Sequence, residues 1–276
     1  MSVQKEKGKY FTRKSEKEIG MAEKFVKEAF ITSVVKVADD IYSMWLKASD
    51  IAKKAKPGQF VSFYSDGQSE MLPRPISICE INKEEGTLRF VFRVVGKGTE
   101  EFSKKQAGDT IRIMGPLGNG FTLEGKTAIL IGGGIGIPPM LELAKQLQCE
   151  TQVVLGYRND NLFLKKEFEP YASVYVSTED GSVGTKGNVI DAIRENQLGA
   201  DMIFACGPTP MLKGVKQYAI ENGIQAQISL EEKMACGIGA CLACVCQSKE
   251  KDHHSNVNNK RICKDGPVFY AEEVEL

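Results

Sequence analysis

The chain has 276 residues, of which 42% are hydrophobic and 26% charged, and its 36 basic residues balance 36 acidic ones. Two ordinary domains and a small appendage fit this length. The zero net charge and the lack of any apolar run of ~20 residues exclude a strongly basic nucleic-acid-binding protein and a membrane-spanning one.

The amino-terminal segment, residues 1–27, is polar and charged and shows no clear apolar stripe. We interpret it as an extension whose function the sequence does not reveal. Its lysine-rich start leads into no apolar signal-peptide core, so we expect an unexported, cytoplasmic protein.

Short β-rich runs recur from residue 29 to residue 114, and turn signals such as Pro57-Gly58 and Asp66-Gly67 separate them. The runs cover residues 30–37, 59–64, 76–81, 88–95 and 110–114. Short strands at this spacing predict an antiparallel β-barrel, which we assign to residues 28–124.

After Gly125 strands alternate with helices. Apolar runs predict strands at 127–131, 152–155, 174–177 and 202–206, and helical patterns cover 139–147 and 189–195. This alternation predicts a parallel sheet with right-handed crossovers, assigned to residues 125–226. A small cysteine-rich domain, residues 227–276, follows, and the predicted fold class is multidomain β plus α/β.

Two weak motifs in the barrel favour binding of a phosphate group. One begins a strand and consists of Arg74, Pro75, Ile76 and Ser77, and the other is the turn Gly96-Lys97-Gly98-Thr99. Arginine pairs with a pyrophosphate through two parallel hydrogen bonds, and Gly98 and Thr99 offer a backbone N–H and a hydroxyl. The alternative for Arg74 is an ordinary surface ion pair.

Two glycine-containing loops of the second domain each follow a strand and open a helix. The first holds Gly132, Gly133, Gly134 and Gly136, and the second holds Gly207 and Pro208 directly after Cys206. Two such loops at the carboxyl ends of parallel strands define a crevice for a dinucleotide. Ile137 replaces the third glycine of the Rossmann fingerprint, and glycines needed only for packing are the alternative.

Four cysteines have the spacing of a plant-type [2Fe–2S] cluster: Cys236, Cys241 and Cys244 form C-x4-C-x2-C, and Cys263 follows after eighteen residues. A tight loop wrapping such a cluster needs small residues, here Gly237 and Gly239. A zinc site or unliganded cysteines are the alternatives.

Three further residues near this spacing are candidate ligands that we set aside. Cys246 faces the opposite side if its segment is extended, so we interpret it as a non-ligand. His253 and His254 lie in a polar loop, and we expect both to be solvated.

The order of four motifs resembles the ferredoxin reductase family: RPIS, GPLGNGF at 115–121, GGGIGIPPM at 132–140 and CGPTPML at 206–212. With the cysteine segment at 231–246 and CKDGPVF at 263–269, the chain is similar to the dihydroorotate dehydrogenase B electron-transfer subunit family. The long segment between Cys244 and Cys263 and the amino-terminal extension depart from that pattern.

The resemblance implies residue roles. Arg74 would meet the FAD phosphates, Ser77 would lie beside the isoalloxazine, and Val91, Phe92, Arg93, Gly98 and Thr99 would also contact FAD. Cys206 would lie near the reacting nicotinamide carbon, although a buried cysteine serving only as a small apolar residue is an equal alternative.

The implied reaction runs from NAD(H) through FAD and a [2Fe–2S] cluster to an FMN-containing dihydroorotate dehydrogenase catalytic subunit, in a heterotetramer with two copies of each subunit. The alternatives are a related subunit of a ferredoxin:NAD(P) oxidoreductase, sulfide dehydrogenase or hydrogenase, or a non-catalytic redox sensor. Arg158, just past the second strand of the α/β domain, could pair with a 2′-phosphate, which leaves NADH versus NADPH open.

Overall fold

The computed structural model describes residues 24–67, 71–251 and 256–276. The predictions for residues 1–23 and for His253 and His254 therefore lie outside the described residues. No helix in the described ranges is long and apolar enough to cross a membrane.

Six antiparallel strands form a closed barrel with the order β1-β2-β5-β4-β3-β6. Their bounds are β1 Phe25–Ala38, β2 Ile41–Lys47, β3 Phe60–Tyr64, β4 Arg74–Asn82, β5 Thr87–Arg93 and β6 Thr110–Leu117. The short helices α1, Ser49–Lys54, and α2, Lys97–Lys104, lie between strands. Edge-to-face contacts of Phe63 with Phe90 and Phe102 fill the interior, and the predicted antiparallel barrel is confirmed.

Three features of the barrel differ from the prediction. β1 begins at Phe25, inside the segment assigned to the amino-terminal extension. β2 was not predicted; it pairs with β1 through a tight turn in which Asp40 has a φ of 56°. The residues predicted as the turn 96–99 cap and begin helix α2.

The second domain has a seven-stranded sheet with the order β10-β9-β8-β7-β11-β12-β15. Its strands are β7 Thr127–Gly133, β8 Glu150–Tyr157, β9 Ser173–Thr178, β10 Thr185–Lys186, β11 Met202–Cys206, β12 Gln225–Ser229 and β15 Val268–Tyr270. Its helices are α3 Pro138–Gln146, α4 Lys165–Phe168, α5 Val189–Glu195 and α6 Thr209–Asn222. The predicted parallel sheet is confirmed for every strand except β15, which pairs with β12 in the antiparallel direction.

The cysteine-rich segment is built into this sheet. The expected boundary between residues 226 and 227 falls inside β12, and β15 returns from the carboxyl end of the chain to cover the edge of that strand. The rest of the segment carries a small hairpin of β13, Val245–Gln247, and β14, Asn259–Arg261. We call residues 230–276, including β15, the carboxyl-terminal lobe.

A buried polar network joins the barrel to the second domain. Arg89 of β5, which is 8% exposed, donates to Glu80 Oε1 at 2.6 Å and to Glu167 Oε1 of α4 at 3.1 Å. Lys145 of α3 pairs with the other oxygen of Glu80. The barrel strands thus hold two helices of the sheet domain through charged hydrogen bonds.

Candidate functional site

The barrel is open where β4 begins. Arg74, Pro75, Ile76 and Ser77 are all half-buried, whereas the following residues Ile78 to Glu80 are buried. Successive side chains of a strand point to opposite faces. Four consecutive half-buried residues therefore show that neither face is fully covered here, and this groove is the candidate flavin site.

Arg74 lies directly over the start of α2. A Cβ built on Gly98 would lie 3.0 Å from Arg74 Nε and 3.2 Å from its Nη2. The structure thus brings together the two motifs, which are separated along the chain. A guanidinium next to a helix amino terminus is suited to bind a pyrophosphate, so the donors fit the FAD phosphates.

The Thr99 hydroxyl makes hydrogen bonds within the turn that begins α2. It donates to the Gly96 carbonyl at 3.0 Å and accepts from the N–H of Val95 at 3.0 Å. Its oxygen also accepts from the N–H of Gly96 at 3.3 Å, which caps the helix. Contact of Thr99 with FAD stays a prediction, and the first backbone N–H groups of α2 are further candidate donors to a phosphate.

Val91, Phe92 and Arg93 lie beside the groove. The ladder between β4 and β5 ends at the pair Ile78 and Phe90, so Ser77 and Val91 are the next residues of the two strands beyond it. Phe92 is 2% exposed and packs edge-to-face on Phe102, so its side chain belongs to the barrel core. Arg93 is half-buried at the end of the strand.

The two glycine loops meet at the carboxyl ends of neighbouring parallel strands, where Gly132 of β7 pairs with Cys206 of β11. A Cβ on Gly136 would collide with the Cys206 carbonyl, and one on Gly207 would lie against the Met211 side chain. These glycines are required by the packing of one loop on the other.

Gly134 differs from the other glycines of the first loop. A Cβ there would meet no atom within 4 Å, so this residue faces open space. The φ of 54° at Gly134 also favours glycine. We take the open space beside Gly134, at the carboxyl end of β7, as the candidate nicotinamide crevice.

The Cys206 thiol is completely buried beside Ser229, its partner in the next strand. Burial raises the pKa of this thiol, and the nearby carboxylate of Glu231 raises it further. A neutral thiol is a weak nucleophile. A role of Cys206 beside the nicotinamide, as the resemblance implies, does not require a thiolate, and it stays a prediction.

Glu231 is a candidate site residue that the sequence reasoning missed. It follows β12, its side chain is exposed, and its carboxylate lies near enough to Cys206 to raise the pKa of that thiol. Desolvation by the surrounding protein raises the pKa of the Glu231 carboxyl group itself. A position just past a parallel strand is the signal that could have identified it.

The four cysteines of the predicted cluster come from two segments of the carboxyl-terminal lobe, and backbone amides bridge them. Cys263 Sγ accepts from the N–H of Gly239 at 3.1 Å, and the N–H of Cys263 donates to Cys244 Sγ at 3.4 Å. Cys244 and Cys263 are buried, whereas Cys241 is exposed.

Cys236 is surrounded by donors. Its Sγ accepts from the N–H groups of Ala240 at 3.2 Å and of Cys241 at 3.4 Å. Partial burial opposes ionisation, but these and a further backbone hydrogen bond lower the pKa of the Cys236 thiol to about 6. Gly237 and Gly239 have φ values of 67° and 83°, the positive range that lets the loop turn its amides inward.

The donor set has the composition that a [2Fe–2S] cluster requires. Such a cluster needs two thiolates at each iron, and the two segments together supply four cysteines. Cys246 lies in β13, opposite Lys260, and packs partly buried against the core.

The cysteine loop rests on the barrel one strand away from the flavin groove. A Cβ on Gly237 would lie 3.2 Å from Ser62 Oγ of β3, and Ser62 pairs with Pro75 of β4. Neighbouring strands lie about 4.8 Å apart. The buried Ser62 hydroxyl has no hydrogen-bond partner among the described residues, as expected beside a bound group.

Comparisons with known proteins agree with this division. Three family models match: the oxidoreductase FAD-binding domain at residues 29–121, the oxidoreductase NAD-binding domain at 130–217, and the iron-sulfur cluster binding domain of dihydroorotate dehydrogenase B at 231–275. Each match falls on one part of the structure: the barrel, the sheet domain and the carboxyl-terminal lobe.

Curated relatives match over almost their whole length. The dihydroorotate dehydrogenase B (NAD(+)) electron transfer subunit of Fusobacterium nucleatum is 43% identical over 264 residues, covering 91% of this chain and 99% of the relative. The subunit of the same name from Bacillus velezensis is 43% identical, covering 91% and 100%.

A solved structure is also similar. It is described as an NADH-dependent reduced ferredoxin-NADP oxidoreductase that illustrates flavin-based electron bifurcation, and it is 34% identical with a TM-score of 0.81. The match covers 90% of this chain and 89% of that one.

Proposed function

Since the chain belongs to the family of dihydroorotate dehydrogenase B electron-transfer subunits, we propose that it passes electrons between NAD(H), FAD and a [2Fe–2S] cluster for an FMN-containing catalytic subunit that forms orotate in pyrimidine biosynthesis. One observation carries the proposal: the cysteine loop rests on the strand next to the flavin groove. The short separation suits direct electron transfer between the two sites.

The cofactors supply the chemistry, since a flavin exchanges hydride with nicotinamide and gives up electrons singly to a one-electron cluster. The chain's own residues position and shield them. Arg74 and the first N–H groups of α2 bind the FAD phosphates, and Ile76 and Ser77 border the isoalloxazine. Arg93, at the end of β5, lies within reach of the same groove.

The nicotinamide crevice is formed by the two glycine loops. Gly134 leaves room for the dinucleotide, and Gly132, Gly133, Gly136, Gly207 and Pro208 bring the loops close together. Cys206 and Glu231 border its inner end, where the buried thiol excludes water and the carboxylate can accept a hydrogen bond from a bound carboxamide.

Cys236, Cys241, Cys244 and Cys263 are the proposed cluster ligands, and Cys246 is not one of them. The amides of Ala240 and Cys241 donate to Cys236 Sγ, which favours the thiolate form that a metal requires. The amide of Gly239 donates to Cys263 Sγ, but burial raises the pKa of that thiol. Cys241, the exposed member, marks the side of the lobe that faces the acceptor.

From the family name we propose that the partner is the FMN-containing catalytic subunit. Two copies of each chain would form a heterotetramer. The compartment proposed is the cytoplasm. All eight cysteines are free in the structure, which suits a reducing environment.

A second candidate is supported by the similarity to the NADH-dependent reduced ferredoxin-NADP oxidoreductase. In that case the cluster would exchange electrons with a partner that contains no dihydroorotate site. The higher identity and near-complete coverage of the curated relatives favour the first candidate.

The test is an anaerobic ultraviolet–visible spectrum before and after NADH, with flavin, iron and labile sulfide counted, followed by affinity purification of the partner. We expect one FAD and two irons per chain, bleaching by NADH, and co-purification of an FMN protein that oxidises dihydroorotate. Colourless protein, or a partner without dihydroorotate activity, would reject the proposal.

A further inference from the structure

Arg261 bridges the two segments that carry the proposed cluster ligands. It lies in β14, two residues before Cys263, and its Nη1 donates to the carbonyl of Gly239 in the first cysteine loop at 3.4 Å. The N–H of the same glycine donates to Cys263 Sγ at 3.1 Å. Gly239 is therefore held by Arg261 on one side and by a ligand sulfur on the other.

Asp265 fixes the guanidinium of Arg261. The Arg261 Nε and Nη2 atoms donate to the two oxygens of Asp265 at 2.9 Å and 3.2 Å, and the backbone N–H of Arg261 donates to Asp265 Oδ2 at 2.8 Å. A bidentate pair of this kind fixes the orientation of the guanidinium as well as its charge. The arginine side chain is 14% exposed and the aspartate side chain 30%, so the guanidinium is the more shielded partner.

The same turn is fastened to the flavin barrel. Asn119 Nδ2 donates to the carbonyl of Asp265 at 2.9 Å, and the N–H of Asn119 donates to the carbonyl of Gly266 at 2.6 Å. Asn119 belongs to the segment 115–121, whose sequence marked the family but had no assigned role. A continuous set of hydrogen bonds thus leads from the barrel to the cysteine loop.

We infer that Arg261 is a positioning residue for the [2Fe–2S] cluster: it holds the first cysteine loop against the Cys263 turn, and its charge balance with Asp265 sets the reduction potential. This inference rests on the proposed function. Cluster potentials respond to net charge and to hydrogen bonds at the sulfurs, and Arg261 acts on both.

Four variants of the full chain separate the two effects. Arg261→Gln removes the clamp and the positive charge, and Arg261→Lys keeps the charge but cannot contact both Asp265 and Gly239. Arg261→Gln combined with Asp265→Asn restores the charge balance without the clamp. Lys260→Gln is the matched control, because Lys260 is the adjacent cation and pairs with Glu273 instead.

The measurements are iron release to a chelator, the electron paramagnetic resonance spectrum of the dithionite-reduced protein, and the cluster midpoint potential. In Arg261→Gln we expect iron release to become about tenfold faster, because the variant loses one charged hydrogen bond. Its reduced-to-oxidised ratio at fixed potential should fall by up to about tenfold, or about 59 mV for one electron. The resonance line shape should change.

The companion variants give the deciding pattern. Arg261→Lys should release iron fast at nearly the wild-type potential, and the double variant should regain the potential but not the slow iron release. Lys260→Gln should match the wild type. Wild-type behaviour of both Arg261 variants, with the cluster present, would overturn the inference, whereas iron-free wild-type protein would instead overturn the proposed function.

Discussion

The sulfur of Cys236 lies among backbone amides rather than beside a cationic side chain. Donors from Ala240 and Cys241 lower the pKa of its thiol, so the loop favours a thiolate before any metal binds. Because the tight turn fixes these amides, they stay next to the sulfur. They are uncharged, so they add no charge that could affect binding of the partner subunit. Cys241, in contrast, is exposed to solvent.

Replacement of the exposed ligand should break the electron path at a single point. We expect Cys241→Ser to abolish the cluster spectrum and transfer to the catalytic subunit, while NADH still bleaches the flavin. Cys246→Ser, in the same segment, is the control and should retain iron and transfer. Loss of flavin bleaching in Cys241→Ser would contradict a serial arrangement of the cofactors.

The contact of Arg74 with Gly98 predicts a specific effect on flavin binding. In Gly98→Ala the new methyl group would press on the guanidinium, and we expect the FAD dissociation constant to rise about tenfold, or about 1.4 kcal/mol. Gly96→Ala is the control, because a Cβ there meets nothing within 4 Å. Equal FAD affinity of the two variants, measured by equilibrium dialysis, would remove Arg74 from the phosphate site.

Spacing alone predicted the four cysteines because a cluster imposes a fixed local geometry on one short loop. It could not predict Ser62 or Arg261, since each reaches its site through contacts between distant segments. Thr99 illustrates a different limit of sequence reasoning. The sequence identified a hydroxyl near the predicted phosphate site, but it could not show that this hydroxyl makes hydrogen bonds within the turn that begins α2.

Among the elements, the strands of the parallel sheet were the easiest to predict, because strands buried on both faces are continuous apolar runs. β2 was missed because its turn is formed by Asp39 and Asp40 without glycine, and its burial does not alternate regularly. β15 has only three residues, and its pairing with β12 depends on the tertiary fold.

The close packing of the two glycine loops predicts an effect on nicotinamide binding. In Gly136→Ala the new Cβ would collide with the Cys206 carbonyl and push the loops apart. We expect a loss of about 1–3 kcal/mol in the free energy of unfolding and weaker NADH binding, with unchanged FAD and iron contents.

Gly199→Ala is the matched control in the same domain, because a Cβ at Gly199 meets no atom within 4 Å. Thermal unfolding and NADH titration of both variants check the expectation. Wild-type NADH affinity in Gly136→Ala would separate the loops from the nicotinamide site.

At the scale of the whole molecule, the network around Arg89 is one of the contacts that join the barrel to the sheet domain. Its guanidinium is shared between Glu80 of the barrel and Glu167 of α4. Hydride transfer requires the two rings to approach closely, and this approach is set by how the domains sit on each other. Glu167 of α4 is the member of this network that lies outside the two strands carrying the proposed FAD contacts, so it can be altered without changing a proposed cofactor-binding residue.

Glu167→Gln should loosen this junction. Because Glu167 is partly exposed, we expect a loss of only about 1–2 kcal/mol in the free energy of unfolding, with a slower NADH-dependent bleaching of the flavin in stopped-flow measurements. Glu169→Gln, which disrupts only the exposed pair with Lys165 one turn away, should stay within about 0.5 kcal/mol of the wild type. Identical bleaching rates in the two variants would show that the network does not set the domain orientation.

The return of β15 to the edge of β12 has a consequence for engineering. Removing everything after Leu230 would bare the backbone of β12 and the apolar side chains beneath Phe269, a ready template for intermolecular pairing. The carboxyl-terminal lobe therefore cannot be removed or transferred as an independent unit. Chimeras that exchange it between relatives must carry the neighbouring sheet with it.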